Sequence, residues 1–398
     1  MTSVVVVGAG YAGLLCTTRL ARKVSGRNVS ITLVSESATF TERLRLHQFA
    51  TNQTIQWRSI PRLLRGTRVQ FVQGKVRGIV PEHQRVLVEG RHPFDYDYLV
   101  YALGSLVDRA SVPGVDEYAY TLAPRGPLSA QALREALPRV EAASGCVVIV
   151  GGGATGIETA AEIAEHYRHL TLHLVTQQIF GIFLSKGVAA YMRRSLEHLG
   201  VAISEQTTVA EVRADRVLTV QGTEIPCDLC IWNGGFVAPS LAREAGLLVN
   251  EQNQVVIDPF MRAIGHTEIY AVGDAAHPQQ EPGVPVRMAA FTAAIMGAHG
   301  ADCLSAALRG KAPRPLSFAY LGQGIALGRH DAIGFSNYPD DTPNRPYVTG
   351  WLGVRIREWA VNQLATASWR ERRWLGSFFW PGKRRYAATQ RRQRAGRQ

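Results

Sequence analysis

Cysteine is scarce in this chain, and where it is missing matters as much as its number. Of 398 residues only Cys16, Cys146, Cys227, Cys230 and Cys303 are cysteine, and none falls between residues 17 and 145. An odd, widely scattered set argues against a disulfide framework and fits a reducing compartment. Lysine is equally rare, so arginine carries the positive charge. No apolar run approaches the ~18 residues a membrane-spanning helix needs. The N-terminus also lacks the basic residues and small-residue cleavage site of a secretory signal. The expectation is a cytoplasmic chain starting near Met1, with length enough for two or three domains, each burying its own core.

Acidic residues are thin at one end. Residues 351–398 hold 12 Arg or Lys against only Glu358 and Glu371, so the net charge of +12 belongs largely to the tail, which also carries five of the seven tryptophans.

What is present in quantity is glycine in two matching arrangements. An apolar strand, Val4 to Val7, runs into Gly8-x-Gly10-x-x-Gly13 and then a helical pattern from Leu14 to Val24. In such a cradle the first glycine permits the tight turn and the second lets backbone approach a pyrophosphate. The third lets the helix pack on the strand, and the helix N-terminus offers unpaired N–H groups and partial positive charge to the phosphates. A second strand, Ser30 to Val34, ends near Glu36, 23 residues past the last glycine, where a carboxylate can hold an adenosine ribose. The second arrangement is Gly151-x-Gly153-x-x-Gly156, with Thr155 inside it, after the strand Cys146 to Val150; Glu158 follows on its helix. Its partner strand, Leu170 to Val175, ends in Thr176-Gln177-Gln178, with neither the acid of an NAD site nor the arginine of an NADP site. The choice between NADH and NADPH is open at this level.

Two further strands close on special turns: Asp97 to Ser105 through Ala102-Leu103-Gly104, and Ile269 to Ala276 through Gly273-Asp274. With these four motifs in this order, the chain resembles the pyridine nucleotide-disulfide oxidoreductases, flavoproteins with two dinucleotide-binding domains. The likeness runs from residue 1 to about 320. It implies an α/β fold with two Rossmann-like domains. An FAD domain is split between 1–105 and 260–318, an NAD(P)H domain is inserted at 106–259, and a small C-terminal α+β region occupies 319–398. It further implies that Asp274 bonds the flavin ribityl chain, and that one fold holds FAD while the other admits NADH or NADPH. The flavin contacts expected are Gly8, Gly10, Tyr11, Ala12, Gly13, Glu36, Arg43, Val76, Ala102, Gly104, Gly273, Asp274 and Ala290. Those expected on the nicotinamide side are Gly151, Gly153, Thr155, Gly156, Glu158, Thr176 and Gly235.

Lacking cysteine between 17 and 145, the chain departs from members that place a redox-active dithiol beside the flavin. Cys227-x-x-Cys230 lies at the start of an apolar strand rather than a helix N-terminus, and no second CxxC accompanies it. It reads as strand packing rather than a redox or metal site. The remaining resemblance is to the type II NADH dehydrogenase branch and its apoptosis-inducing-factor-like relatives. It is carried by "FTERLRLHQ" (Phe40 to Gln48), "WNGGFVAP" (Trp232 to Pro239) and "TGWLGVRIREW" (Thr349 to Trp359). It implies an FAD-dependent NAD(P)H dehydrogenase delivering electrons to a quinone-like or other small conjugated acceptor. Arg43 would approach phosphate, His47 would lie at the substrate face, and Glu158 would position the nicotinamide. Quinone-reducing members carry a glutamine-rich helix after Gly-Asp, where this chain has Phe291, Ile295 and Met296. Two alternatives stand beside this reading: a tailoring oxidoreductase of secondary metabolism, and a redox-sensing flavoprotein that binds through its tail.

In the tail, Leu352, Ile356, Trp359, Ala360, Leu364 and Ala367 are expected on one helix face, with Arg355, Glu358 and Asn362 off it. That face suits packing or a homodimer contact, or a peripheral contact with the inner face of a membrane. Nucleic acid ranks last for want of a binding fold. The final "RRQRAGRQ" is expected to be disordered.

Overall fold

The fold, seen in a computed structural model, is described for residues 1–279, 286–380 and 382. The final eight residues of the tail lie outside the described residues.

The unbroken apolar strand Thr2–Val7 pairs in parallel with Val29–Ser35 on one side and Tyr98–Tyr101 on the other. Val69–Gln73 and Ile269–Ala271 complete a five-stranded sheet. A near-continuous valine run is what a strand covered by helices on both faces requires. The helix Tyr11–Lys23 follows the first strand directly and packs on the long helix Ala290–Ala307, which is buried almost all round. The second sheet repeats the plan: Cys146–Val150 lies between Thr171–Val175 and Leu229–Trp232, with Val201–Ser204 and Ala119–Tyr120 outermost. Three-stranded antiparallel sheets, Val76–Val80 with Arg85–Val88 and Phe94–Asp95, and Val209–Val212 with Arg216–Thr219 and Glu224–Pro226, flank the two units.

The two crossings between the units lie side by side: Leu106–Val107 pairs antiparallel with Phe236–Val237. The return therefore falls earlier than the expected boundary at 260. Ala238, Ala242, Leu247, Val255 and Ile257 are buried in the core of the first unit, because the small apolar residues after Trp232 close over its sheet.

The C-terminal region is a three-stranded antiparallel sheet, Gly322–Ala326, Ala332–Asn337 and Pro343–Val348, followed by the helices Gly350–Ala365 and Ala367–Arg373. It ties the two units together. Asp331 accepts hydrogen bonds from Tyr191 Oη (2.9 Å) and Ser195 Oγ (3.1 Å) of the inserted unit and from the amide of Gly350 (3.0 Å). Arg329 reaches Glu162 (3.1 Å) and the carbonyl of Thr51 (3.3 Å).

The expected apolar face of the tail helix exists but points outward. Leu352, Ile356 and Trp359 are exposed, while the buried stripe is Gly353, Arg357, Val361 and Ala365. Gly353 decides this: any side chain there would meet the carbonyl of Ala332, so the helix docks through its glycine, and Arg357, one turn on, is carried inward. Ala367, expected on the same helix, begins the next one.

Candidate functional site

Each glycine of the first cradle has the geometry its motif requires. Gly8 has φ +97°, and a methyl group there or at Gly13 would run into backbone oxygen, of Ala102 and Gly8 respectively. Gly10 is different: among the described residues nothing beyond its chain neighbours lies within 4 Å of its missing Cβ. The second cradle behaves identically, with Gly151 (φ +118°) and Gly156 closed by Asn233 and Gly151 and with Gly153 open. The chain thus closes around four glycines and leaves space at the two beside which a pyrophosphate would run.

Around the first cradle the structure gathers most of the expected residues. Ala102 touches Gly8 and Gly13, and Ala12 packs under Gly273 (φ +74°). Gly104 has φ +70° with open space beside it. Glu36 is exposed just beyond the end of the second strand. Val76 begins its strand two residues after Gly74, whose amide bonds Ser35 O at 2.9 Å. Asp274 sits at the strand end with Oδ2 accepting from Ser105 Oγ (2.8 Å). Its Oδ1 is buried and makes no well-directed hydrogen bond within the described residues, although the Ala289 amide is near enough to favour its charge. Burial raises the Asp274 carboxyl above the usual aspartate range. Such a group calls for donors from outside the polypeptide, as ribityl hydroxyls would supply. These residues fit FAD.

Arg43 lies on the Asp274 side of this cradle, with Nη1 donating to Ser105 O at 2.6 Å. Burial pulls its pKa down, and the nearby Asp274 and Tyr11 pull the other way. The segment Phe40 to Gln48 is interior rather than surface, with Leu46, His47 and Gln48 all buried. Ala290 opens the long helix. Ile295 and Met296 are fully buried among core side chains, so two of the three positions that hold glutamine in quinone-reducing members face the packed interior here.

On the second cradle, Thr155 lies in the first turn of the helix Ala154–His166, and Thr176 Oγ1 stands over Gly152. Gly235 (φ +76°) lies at the paired crossings beside Asp108. Glu158 is buried, and its Oε1 accepts from the amide of Ala326 (3.0 Å) and from Arg357 Nη2 (3.0 Å). Arg357 is 3% exposed; burial opposes its charge, but Glu158 and Glu358 outweigh burial and hold it protonated. His47 Nδ1 lies 4.0 Å from Glu158 Oε2, while its Nε2 faces Arg357 Nη2 at 3.5 Å. Burial lowers the His47 pKa, leaving the ring neutral near pH 7. With a guanidinium facing Nε2, the ring proton belongs on Nδ1, toward Glu158.

Asn233 and Arg357 lie inside two of the stretches that carry the resemblance, Trp232 to Pro239 and Thr349 to Trp359, but neither was assigned a role from them. For Arg357 the further signal was Gly353 four residues earlier on the same helical face. Asn233 Nδ2 is a buried donor without a partner among the described residues, immediately behind Gly151.

The thiols take no part. Burial raises Cys16, Cys227 and Cys303 to about 12 and pushes Cys230 higher still. Among the described residues no cluster of three or more His, Cys, Asp or Glu could hold a metal ion.

Residues 2–298 match the pyridine nucleotide-disulphide oxidoreductase family. The chain belongs to that family. It is an oxidoreductase of the two-dinucleotide-domain fold, and it works with FAD and a pyridine nucleotide. Among members of the family, it is 28% identical over 346 residues to a demethylphylloquinone reductase of Synechocystis, covering 82% of this chain and 85% of the relative. A sulfide:quinone oxidoreductase from Aquifex aeolicus superposes with TM-score 0.79 at 18% identity, over 93% of both chains. An NDH2 from Plasmodium falciparum in complex with NADH superposes with TM-score 0.74 at 15% identity, over 94% of this chain and 99% of that one.

Proposed function

We propose that this flavoprotein oxidises NADH and passes the electrons to a quinone. The observation that carries the reading is the junction itself, where Glu158 from the nicotinamide cradle, His47 from the flavin unit and Arg357 from the C-terminal helix meet. When bound, FAD supplies the chemistry of accepting hydride from the nicotinamide and releasing electrons to an acceptor. The chain's own work is placement. Gly8, Gly10 and Gly13 bring backbone donors to one pyrophosphate, Gly151, Gly153 and Gly156 to the other, and Asp274 holds the ribityl chain. Arg357 and the Ala326 amide saturate Glu158 Oε1 and leave Oε2 for the substrate side. The His47 Nδ1–H faces that oxygen at 4.0 Å and orients it, the neutral ring keeping its proton.

A quinone relative supports this acceptor class, and a cavity of about 210 Å³ adjoins the cluster. Its lining is mostly polar, with Arg45, Gln48, Gln53, Arg329, Arg357 and Glu358 beside Ala326, Ala332 and Val354, so its donors suit an acceptor bearing carbonyl oxygens. Val354→Trp would fill it. The expected result is a fall of about tenfold or more in kcat/KM for quinone with NADH-driven flavin bleaching unchanged; equal loss of both half-reactions would reject the cavity as the acceptor site.

The nicotinamide preference follows from the strand end at Thr176. Gln177 and Gln178 are uncharged, and Arg193, on the next helix, is held by Glu205. With no cation supplied there for a 2′-phosphate, kcat/KM for NADH should exceed that for NADPH by about tenfold or more. Equal values would place an unrecognised cation at that ribose.

We further propose a peripheral membrane contact through the outward face of the C-terminal helix, where Trp351, Leu352, Ile356 and Trp359 stand exposed beside Arg355. No described helix is long and apolar enough to cross a membrane.

A further inference from the structure

The exposed apolar residues of the C-terminal helix are not alone on their side of the molecule. In the inserted unit, the loop after the strand Thr171–Val175 exposes Ile179, Ile182 and Phe183. This loop leads into the helix Lys186–His198, whose Gly187 is covered by the ring of Tyr347: a methyl group at Gly187 would lie 3.1 Å from Tyr347 Cε1. Tyr347 is itself exposed, at the end of the strand that enters the C-terminal helix. Phe183 lies only four positions before Gly187, and Trp351 four positions after Tyr347. Asp331 holds this join rigid, bonding Tyr191 and Ser195 on one side and the Gly350 amide on the other.

We propose that Ile182 and Phe183 form a second foot of the membrane contact, so that the nicotinamide-binding unit and the C-terminal helix dock together on an anionic lipid surface. The inference rests on the membrane reading above and extends it to a part of the chain far away in sequence. Charge selects the occupant. Lys186, Arg345 and Arg355 are exposed beside the apolar residues, while Glu358, the acid on that helix, is engaged by Arg45 and Arg357. Two copies of so basic a face repel each other, whereas anionic headgroups attract it and aromatic rings favour the interfacial layer. An apolar patch rimmed in this way on two units of the fold is the arrangement expected of a surface that meets lipid.

The test uses the full-length flavoprotein with vesicles of phosphatidylcholine alone or mixed with phosphatidylglycerol, read by co-sedimentation, and with light scattering for oligomeric state. The doubly substituted Ile182→Ser/Phe183→Ser is expected to bind the anionic vesicles at least about tenfold more weakly than the unsubstituted chain, since removing the two side chains together from a partly buried interface is worth more than one decade. Trp351→Ser/Trp359→Ser examines the helix separately. If the loop variant binds as the unsubstituted chain does while the helix variant fails, the second foot is wrong and the helix contact stands. If the unsubstituted chain ignores anionic vesicles, both readings fall. If the loop substitutions instead split a dimer without changing vesicle binding, the face is a subunit interface and the proposal is overturned.

Discussion

Replacing Gly10 by alanine is expected to leave the protein folded and colourless. The backbone at Gly10 is extended (φ −77°, ψ −164°), a conformation alanine adopts without strain, and among the described residues no atom beyond its chain neighbours lies within 4 Å of the added methyl. By itself the substitution should be neutral or slightly stabilising. The methyl nevertheless occupies the room at the helix N-terminus through which a pyrophosphate must pass close to backbone. Gly13→Ala should do the opposite. Its methyl collides with the Gly8 carbonyl, neither backbone segment can yield, and the first helix must lift from its strand at a cost of at least ~1–3 kcal/mol. Gly153→Ala, with the same open surroundings as Gly10, should give a yellow protein that binds nicotinamide poorly. Urea denaturation and flavin content separate the three. A Gly10→Ala protein that retains its flavin would show that the open space is not the phosphate site.

The second large effect lies far from the cradles. Glu371 is completely buried and accepts from Arg19 Nη1 (2.8 Å), the Gly376 amide (2.7 Å), Ser377 Oγ (3.2 Å) and the Phe378 amide (2.9 Å). Arg19 belongs to the first helix and also grips Asp302 of the long helix at 2.7 Å. This carboxylate fastens the last helix across the two helices that support the flavin cradle. Glu371→Ala would strand Arg19 with half its compensation and leave two amide donors unpaired, a loss of about 3–5 kcal/mol of stability. Truncation before Ala367 removes the clamp entirely. Chemical denaturation checks both, and a loss below ~1 kcal/mol in Glu371→Ala would mean that the tail is not integral to the fold. The basic, tryptophan-rich end is therefore divided: Glu371 and Arg357 are structural anchors, and the exposed aromatics are free for other surfaces.

What could be read in advance was whatever repeats along the chain at short range. Two apolar strands, each followed by three glycines at fixed spacing and a helix, announced both cradles, and the resemblance at Gly273-Asp274 implied a ribityl contact there. Those signals are local because a phosphate cradle is built from consecutive backbone. The junction was only half legible. Glu158 sits inside a motif and could be named, and His47 was drawn by resemblance; Arg357 could not, since nothing near it in sequence reports the carboxylate it meets, and its charge was lost among the other arginines of the tail. The helix face failed for a related reason. Apolar periodicity ordinarily marks the buried side, but a single glycine at 353 permits an approach to the Ala332 carbonyl that larger residues forbid, and close packing there turned the tryptophans outward. The domain return was misplaced because the small apolar residues from Ala238 to Ile257 suit either core equally well.

Two cradles serving one transfer across the junction at Glu158 are the centre of this mechanism. Its most direct test is an anaerobic titration of the purified protein with NADH, followed in the visible flavin band. The account predicts a yellow protein that bleaches with about one equivalent of NADH per flavin and regains its colour on addition of a quinone. A protein that carries flavin and keeps its colour in excess NADH would contradict it.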